Sequence, residues 1–202
     1  MRYMALMGLA LAATAPAVAQ GTPAERSFAW RINDKIASPD ASLASKNGLG
    51  LQMMITADYD GFWKAWEGPT PPHLSVTDRV ERGRPVNAML IFSGCKAGAD
   101  GNCNVTALYN ITAPDGTPYG EPQSAIVWRL LPAPGYNLQL SEGSIGMVVE
   151  PGEQLGRYVL KATVTDHVAG TVLTVEAPVE VVEAGTMPNV EETLPSEVPT
   201  TR

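Results

Sequence analysis

Histidine, cysteine and basic residues are scarce in this chain, and each scarcity closes off a class of chemistry. Among 202 residues there are two histidines and two cysteines. His73 stands in PTPPHLSV and His167 in TDHVAG, neither with a second His, Cys or carboxylate at ligand spacing, so no metal centre is expected. Fourteen Lys and Arg face twenty-one Asp and Glu, a formal net charge of −7. That balance argues against nucleic acid as a partner, because contacts to phosphate backbones need clustered cations, and equally against anionic lipid. The turns holding Asp58, Asp60, Asp100 and Asp115 lack the D-x-D-x-D density of a calcium loop, and Asp100-Gly101-Asn102 reads as a turn. Phosphate-cradling glycine loops, a G-x-S-x-G elbow and zinc patterns are all missing. No cofactor is expected, and catalysis is not the expected role. The best acid–base pair, Asp166 with His167, sits in a tight turn with no nucleophile beside it.

Long apolar runs are missing beyond the N-terminus, so no transmembrane segment is expected. The first nineteen residues, MRYMALMGLALAATAPAVA, have a basic start at Arg2, a short apolar stretch and small residues at Ala17 and Ala19. That is the pattern of a secretory signal peptide, and it points to a periplasmic or secreted protein. Removing it leaves 13 Lys and Arg against 21 Asp and Glu, a net −8. In an oxidising compartment Cys95 and Cys103, separated by a Gly- and Asp-rich loop in SGCKAGADGNCN, are expected to form a disulfide. Their spacing is too long for a CxxC redox motif.

What the chain does have is alternation. Residues 156–183, GRYVLKATVTDHVAGTVLTVEAPVEVVE, put Tyr158, Leu160, Ala162 and Val164 on one face and Arg157, Lys161, Thr163 and Thr165 on the other. After the DHVAG turn, Leu173, Val175, Ala177, Val179 and Val181 share a face opposite Thr174, Glu176 and Glu180. Two strands joined by a turn follow, with one apolar side to cover. Pro178 lacks a ladder donor, which predicts an edge or a bulge there.

Upstream, Leu51, Met53 and Ile55 alternate, as do Ala88, Leu90 and Phe92 of VNAMLIFSGC and Val105, Ala107, Tyr109 and Ile111 of NVTALYNIT. The last two read as a hairpin clamped at its tip by the cysteines. SAIVWRLL reads as a strand with Ile126, Trp128 and Leu130 on one face, and LQLS with SIGMVVE as a further pair. One helical turn interrupts the strands: in DYDGFWKAWEGPTPP, Asp60 is a candidate N-cap and Gly68-Pro69 a stop. The chain divides into a signal peptide at 1–19, an N-terminal arm or short helix at 20–48 with Phe28, Ile32 and Ile36 at helical spacing, a β-domain at 49–183, and an acidic, proline-containing disordered tail at 184–202. Short strands at turn-punctuated intervals predict an all-β antiparallel sandwich, with a closed barrel as the alternative.

The stretch PGEQLGRYVLKATVTD, residues 151–166, resembles immunoglobulin-like domains: a turn, then Gly-x-Tyr opening an alternating strand, the tyrosine corner. The resemblance implies an immunoglobulin-like sandwich in which the Tyr158 hydroxyl bonds upstream backbone near Glu153. Leu160 takes the place of the usual core cysteine, so no intersheet disulfide is implied. The wording is also similar to macroglobulin-like and other bacterial immunoglobulin-like modules, which serve mostly as spacers, adhesins, chaperone-like subunits or surface-binding units. FWKAWEGP followed by FSGC, GNC, PDG and LGRY is similar to a group of exported bacterial proteins to which no activity attaches.

One residue cluster has the composition of a binding surface. Tyr59, Phe62, Trp63 and Trp66 fall within two helical turns, and Trp and Tyr are enriched at binding hot spots. A short aromatic helix is also a common plug over an open end of an all-β core, and that reading takes precedence. The expected function is a non-catalytic binding or assembly module with a protein partner in the envelope or outside the cell. The alternatives are a small-ligand or glycan carrier using Trp63 and Trp66, and a hydrolase assembled from distant residues.

Overall fold

A computed structural model describes residues 31–32, 35–36, 40–68, 72–134 and 137–187. In chain order the elements are β1 (Arg31–Ile32), β2 (Lys35–Ile36), β3 (Leu43–Lys46), β4 (Leu49–Thr56), α1 (Tyr59–Trp66), β5 (Arg79–Glu81), β6 (Val86–Ser93) and β7 (Val105–Thr112). They continue with β8 (Gln123–Trp128), β9 (Gln139–Leu140), β10 (Ile145–Met147), β11 (Gly156–Asp166) and β12 (Thr171–Val182). One sheet has the order β10-β6-β4-β3, with β9 also on β6; the other has β5-β12-β11-β7-β8. Every pairing is antiparallel except that of β5 with β12. β4, β6 and β10 thus occupy the A, B and E places of an immunoglobulin-like sandwich, and β7, β11 and β12 the C, F and G places, with β8 extending the second sheet. The fold is an immunoglobulin-like, all-β sandwich.

The period-two pattern explains the two layers. Leu51, Leu90, Tyr109, Tyr158, Leu160, Val175 and Val179, all within 0–1 % exposure, belong to one core between the sheets. Each such side chain withdrawn from water contributes about 1.5–3 kcal/mol before the entropy of ordering it is subtracted. β12 is not an edge strand, since β5 pairs with it from Glu180 onward, but Pro178 falls in the gap before that pairing: Glu176 N–H reaches Ala41 O at 2.7 Å and Glu180 N–H reaches Asp78 O at 2.8 Å, while Pro178 between them has no N–H to satisfy.

Several local expectations are corrected. β6 and β7 are not a hairpin: β6 pairs with β4 and β10, β7 with β11 and β8, so the cysteine loop carries the chain from one sheet to the other. A loop of that length closes either connection, and the choice falls to β6, whose unbroken AMLIF run suits a strand covered on both faces. β9 and β10 likewise both run along β6 rather than along each other. β8 bulges opposite Val105 and Thr106 of β7: Ile126 pairs with Thr106 and Trp128 with Val105, so Trp128 joins buried Val127 on the core side and the expected Ile126, Trp128, Leu130 face is broken. The strand ends at Trp128.

Residues 31–32 and 35–36, within the segment expected as an N-terminal arm or a short helix, form a small antiparallel pair. The boundary expected at Leu49 falls inside a hairpin, since β3 pairs with β4 from Leu43↔Gln52 to Lys46↔Leu49. Met187, within the expected tail, donates its N–H to Glu81 Oε1 at 2.9 Å. The expected signal peptide and residues 188–202 lie outside the described residues.

Candidate functional site

The aromatic residues Tyr59, Phe62, Trp63 and Trp66 all lie on α1. Its N-cap is Asp58 rather than Asp60: Asp58 Oδ1 accepts from Gly61 N–H at 2.9 Å, and Thr56 Oγ1 accepts from Asp58 N–H at 3.0 Å. A Cβ at residue 61 would overlap the Asp58 carboxylate, which is why glycine stands there. Asp60 in the first turn and Lys64 in the last complement the helix dipole. Phe62 is fully buried in a second apolar cluster with Met89, Ile91 and Leu140, flanked by Met54, Trp63, Trp66 and Leu74. α1 therefore lies on the outer face of the first sheet instead of plugging an end of the sandwich. Of the four aromatics only Tyr59 is exposed, its ring edge-on to Trp63 at 6.5 Å. Trp63 and Trp66 are half-buried, and the Trp63 indole N–H is buried with no hydrogen-bond partner.

At one end of the sandwich three connections are knotted together. Cys95 and Cys103 form a disulfide with Cα atoms 6.0 Å apart. Asp166 is 1 % exposed, and its carboxylate accepts Lys96 N–H at 2.9 Å and the N–H groups of Val168 and Ala169 at 3.0 Å each. It is held by backbone on both sides of the corner, binding the β6–β7 crossover to the β11–β12 turn. His167 gives its backbone N–H to Asn104 O at 2.9 Å, and its ring Nε2 lies 2.8 Å from Thr106 Oγ1. The Asp166 carboxylate therefore serves the backbone, not the neighbouring imidazole. His73 is exposed on the segment before β5. No group of three or more His, Cys, Asp or Glu converges as metal ligands would among the described residues.

The third connection, from β8 to β9, is where the structure adds something the sequence reading passed over. Leu130, Leu131 and Leu138 are 57 %, 66 % and 45 % exposed. The backbone of the first two is nevertheless tethered: Leu130 O accepts from Cys103 N–H at 2.9 Å and Leu131 O from the Trp128 indole at 2.9 Å, while before Leu138 the Asn137 N–H bonds Pro134 O at 3.0 Å. Trp128 is itself packed against Phe92, ring centroids 5.5 Å apart. The signal was present in the sequence as Leu-Leu followed by Pro-Ala-Pro, which cannot continue a strand; reading WRLL as strand hid it.

Tyr158 is a corner tyrosine, its hydroxyl donating to Gln154 O at 2.7 Å, one residue beyond the expected Glu153. Glu153 has other partners. Its Oε2 accepts from Glu150 N–H at 2.6 Å and from the Tyr119 hydroxyl at 2.8 Å, and these bonds hold its carboxyl below the usual range. The Tyr119 hydroxyl is shared with Val148 O at 2.7 Å, and its ring meets Tyr158 edge-on at 5.1 Å. Burial, and then the neighbouring Glu153, push both hydroxyls above the ordinary tyrosine value. This end braces the fold, and its groups are used up in doing so.

No protein-family model matches the chain, and no curated protein is similar to it in sequence. Among solved structures it is similar to the CARDB domain of a Pyrococcus furiosus protein in complex with di-metal ions, at 16 % identity over 72 % of this chain and 99 % of that one, with a TM-score of 0.34. An immunoglobulin-like protein from Pseudomonas aeruginosa is 16 % identical over 65 % of this chain and 91 % of its own, with a TM-score of 0.30. A family 123 glycoside hydrolase from Clostridium perfringens is 12 % identical over 66 % of this chain and 27 % of its own, with a TM-score of 0.34. Likenesses this distant add nothing to what the strand order already gives.

Proposed function

We propose that this chain is an exported, non-catalytic binding or assembly module, and that it engages a protein partner in the cell envelope or outside the cell through the β8–β9 loop. The observation that carries the reading is the exposure of Leu130 and Leu131 on backbone tethered beside the disulfide, with Leu138 also exposed on the same connection. Exposed apolar groups on a chain already fixed in place bind at a lower ordering cost than the same groups on a loose loop. The basic-then-apolar N-terminus and the disulfide support export. Crosslinking in the producing cells followed by mass spectrometry is expected to recover one specific protein with the native chain and to lose it with Leu130→Ser/Leu131→Ser. Recovery of the uncoupled chain alone, or equal recovery with the double variant, contradicts the proposal.

A second reading, a small-ligand or glycan carrier, rests on the unpartnered Trp63 indole N–H beside half-buried Trp66. Indole fluorescence that shifts saturably with a candidate sugar, and no longer does so in Trp63→Phe, favours it; no response to a panel of mono- and oligosaccharides disposes of it.

A further inference from the structure

β12 of the second sheet runs beside β4 of the first, and hydrogen bonds bridge the seam between them at two places. At one, Ser42 O accepts from Met53 N–H at 2.9 Å and Ala41 O from Glu176 N–H at 2.7 Å. At the other, Thr77 N–H reaches Ile55 O at 2.9 Å and Glu180 N–H reaches Asp78 O at 2.8 Å. Between the bridges lies an open cleft of about 540 Å³. On β12 the bridges are four residues apart, about 13 Å, which is room for one or two side chains and not for an added strand.

The chemistry of this window is one-sided. Its accessible lining is mostly apolar, with Val76, Met54 and Pro178 at the surface and only the edges of the core residues Met53, Ile55 and Ala177 reaching it, while Ser42, Gln52 and Thr77 add polar groups. Pro178 stands where an outward N–H would otherwise face the opening, so β12 offers no backbone donor at that position. Val76 is 58 % exposed at the mouth. The rim carries two carboxylates, Asp40 and Asp78, and among the described residues no Lys or Arg lines the cleft. Asp40 accepts Ser42 N–H at 2.7 Å, which holds its carboxyl below the usual range and keeps it anionic at neutral pH. Arg79, the next residue after Asp78, lines a separate hollow of about 220 Å³ with Arg84 and Met187. An apolar pocket with an anionic rim complements a large apolar side chain beside a cation.

We propose that the window receives, from a protein partner, an extended segment in which a large apolar residue is flanked by Lys or Arg. The hydrocarbon side chain packs on Val76, Met54 and Pro178, and the cations meet Asp40 and Asp78. The window shares no residue with the leucine loop, so it goes beyond that reading and fails separately from it.

The test is an NMR titration of the full chain with the blocked peptide acetyl-Gly-Lys-Leu-Lys-Phe-Lys-Gly-amide. Shifts are expected at residues 53–55, 76–78 and 176–180, with a Kd of roughly 0.1–1 mM at low salt. Asp78→Lys is expected to weaken binding about tenfold, and replacing the peptide's lysines with Glu to abolish it. Should Asp78→Lys fail to fold, Val76→Lys, at an exposed position, carries the same expectation. Four results overturn the proposal: no shifts at millimolar peptide, shifts confined to residues 129–138, an affinity indifferent to the charge reversal, or binding that appears only after residues 20–36 are deleted. The last would make this chain's own N-terminal segment the occupant. Crosslinking through the leucine loop is unaffected by any of these variants if that reading holds.

Discussion

In the first sheet β6 is buried on both sides, with Leu90 and Phe92 against the main core and Met89 and Ile91 beneath α1. In the second sheet β7, β11 and β12 bury alternate residues only, and the outer face is left to Thr163, Thr174, a Lys161–Glu176 pair at 3.1 Å, and half-exposed Leu108 and Val172. The difference shows what the aromatic residues of α1 are for. A strand that is apolar on both faces needs a second cover, and Phe62 supplies it. The outer face of the second sheet is polar enough to meet water without one.

The sharpest way to break this comparison is to empty the cover. Phe62→Ala is expected to cost about 3–5 kcal/mol, read as a lowered urea midpoint with the disulfide intact, whereas Leu108→Ala on the open face should cost no more than about 0.5 kcal/mol. A small loss for Phe62→Ala would mean that α1 is an appendage and its aromatics are free to bind.

Next in size is the staple. Cys95→Ser/Cys103→Ser removes a short covalent loop and should cost about 2.5 kcal/mol. Because Cys103 N–H holds Leu130 O, hydrogen exchange is expected to speed up across residues 129–134 as well as 95–103. Exchange confined to the cysteine loop would uncouple the staple from the leucines.

Smaller still are the pH effects. Tyr109, Tyr119 and Tyr158 have raised folded values, so their stabilisation is intact below the unfolded tyrosine value of 10.0 and is lost as pH climbs through the folded values. An alkaline titration at 295 nm should show these three ionising only as the protein unfolds. Asp40, Asp100, Asp115 and Glu153 have lowered values, so their stabilisation is present above the unfolded values of 3.8 and 4.5 and is lost as pH falls through the folded ones. These groups are exposed, and the acid-side decline is expected to be shallow. Three tyrosines titrating freely in the folded state would contradict the packing around the tyrosine corner.

The same contrast explains what could be read from the sequence. Tyr158 to Val181 was legible residue by residue, because a strand buried on one face announces itself by alternation. The partner of β6 was not, because a continuous run such as AMLIF fits any strand with both faces covered and says nothing about which neighbours provide the cover. The bulge at Val127 parts Ile126 from Trp128, which a period-two count puts on one face with Leu130, and Leu130 lies past the end of the strand, facing solvent. Of the candidate site, the sequence yielded the disulfide and the aromatic cluster; for the leucine display it offers only the strand stop of Leu-Leu followed by Pro-Ala-Pro, while the Trp128 indole bond to Leu131 O that tethers the loop leaves no pattern in composition or spacing. Asp58, not Asp60, caps α1 for a similar reason: either carboxylate suits the role by type, and only the approach of Gly61 decides.

The most direct test places a photo-crosslinking amino acid at Leu131 in one version of the chain and at Trp66 in another, with both expressed in the producing cells. A discrete adduct with one protein from position 131, and none from position 66, is the predicted result. An adduct from position 66 alone would return the aromatic helix to the role of binding surface and contradict the division between cover and contact drawn here.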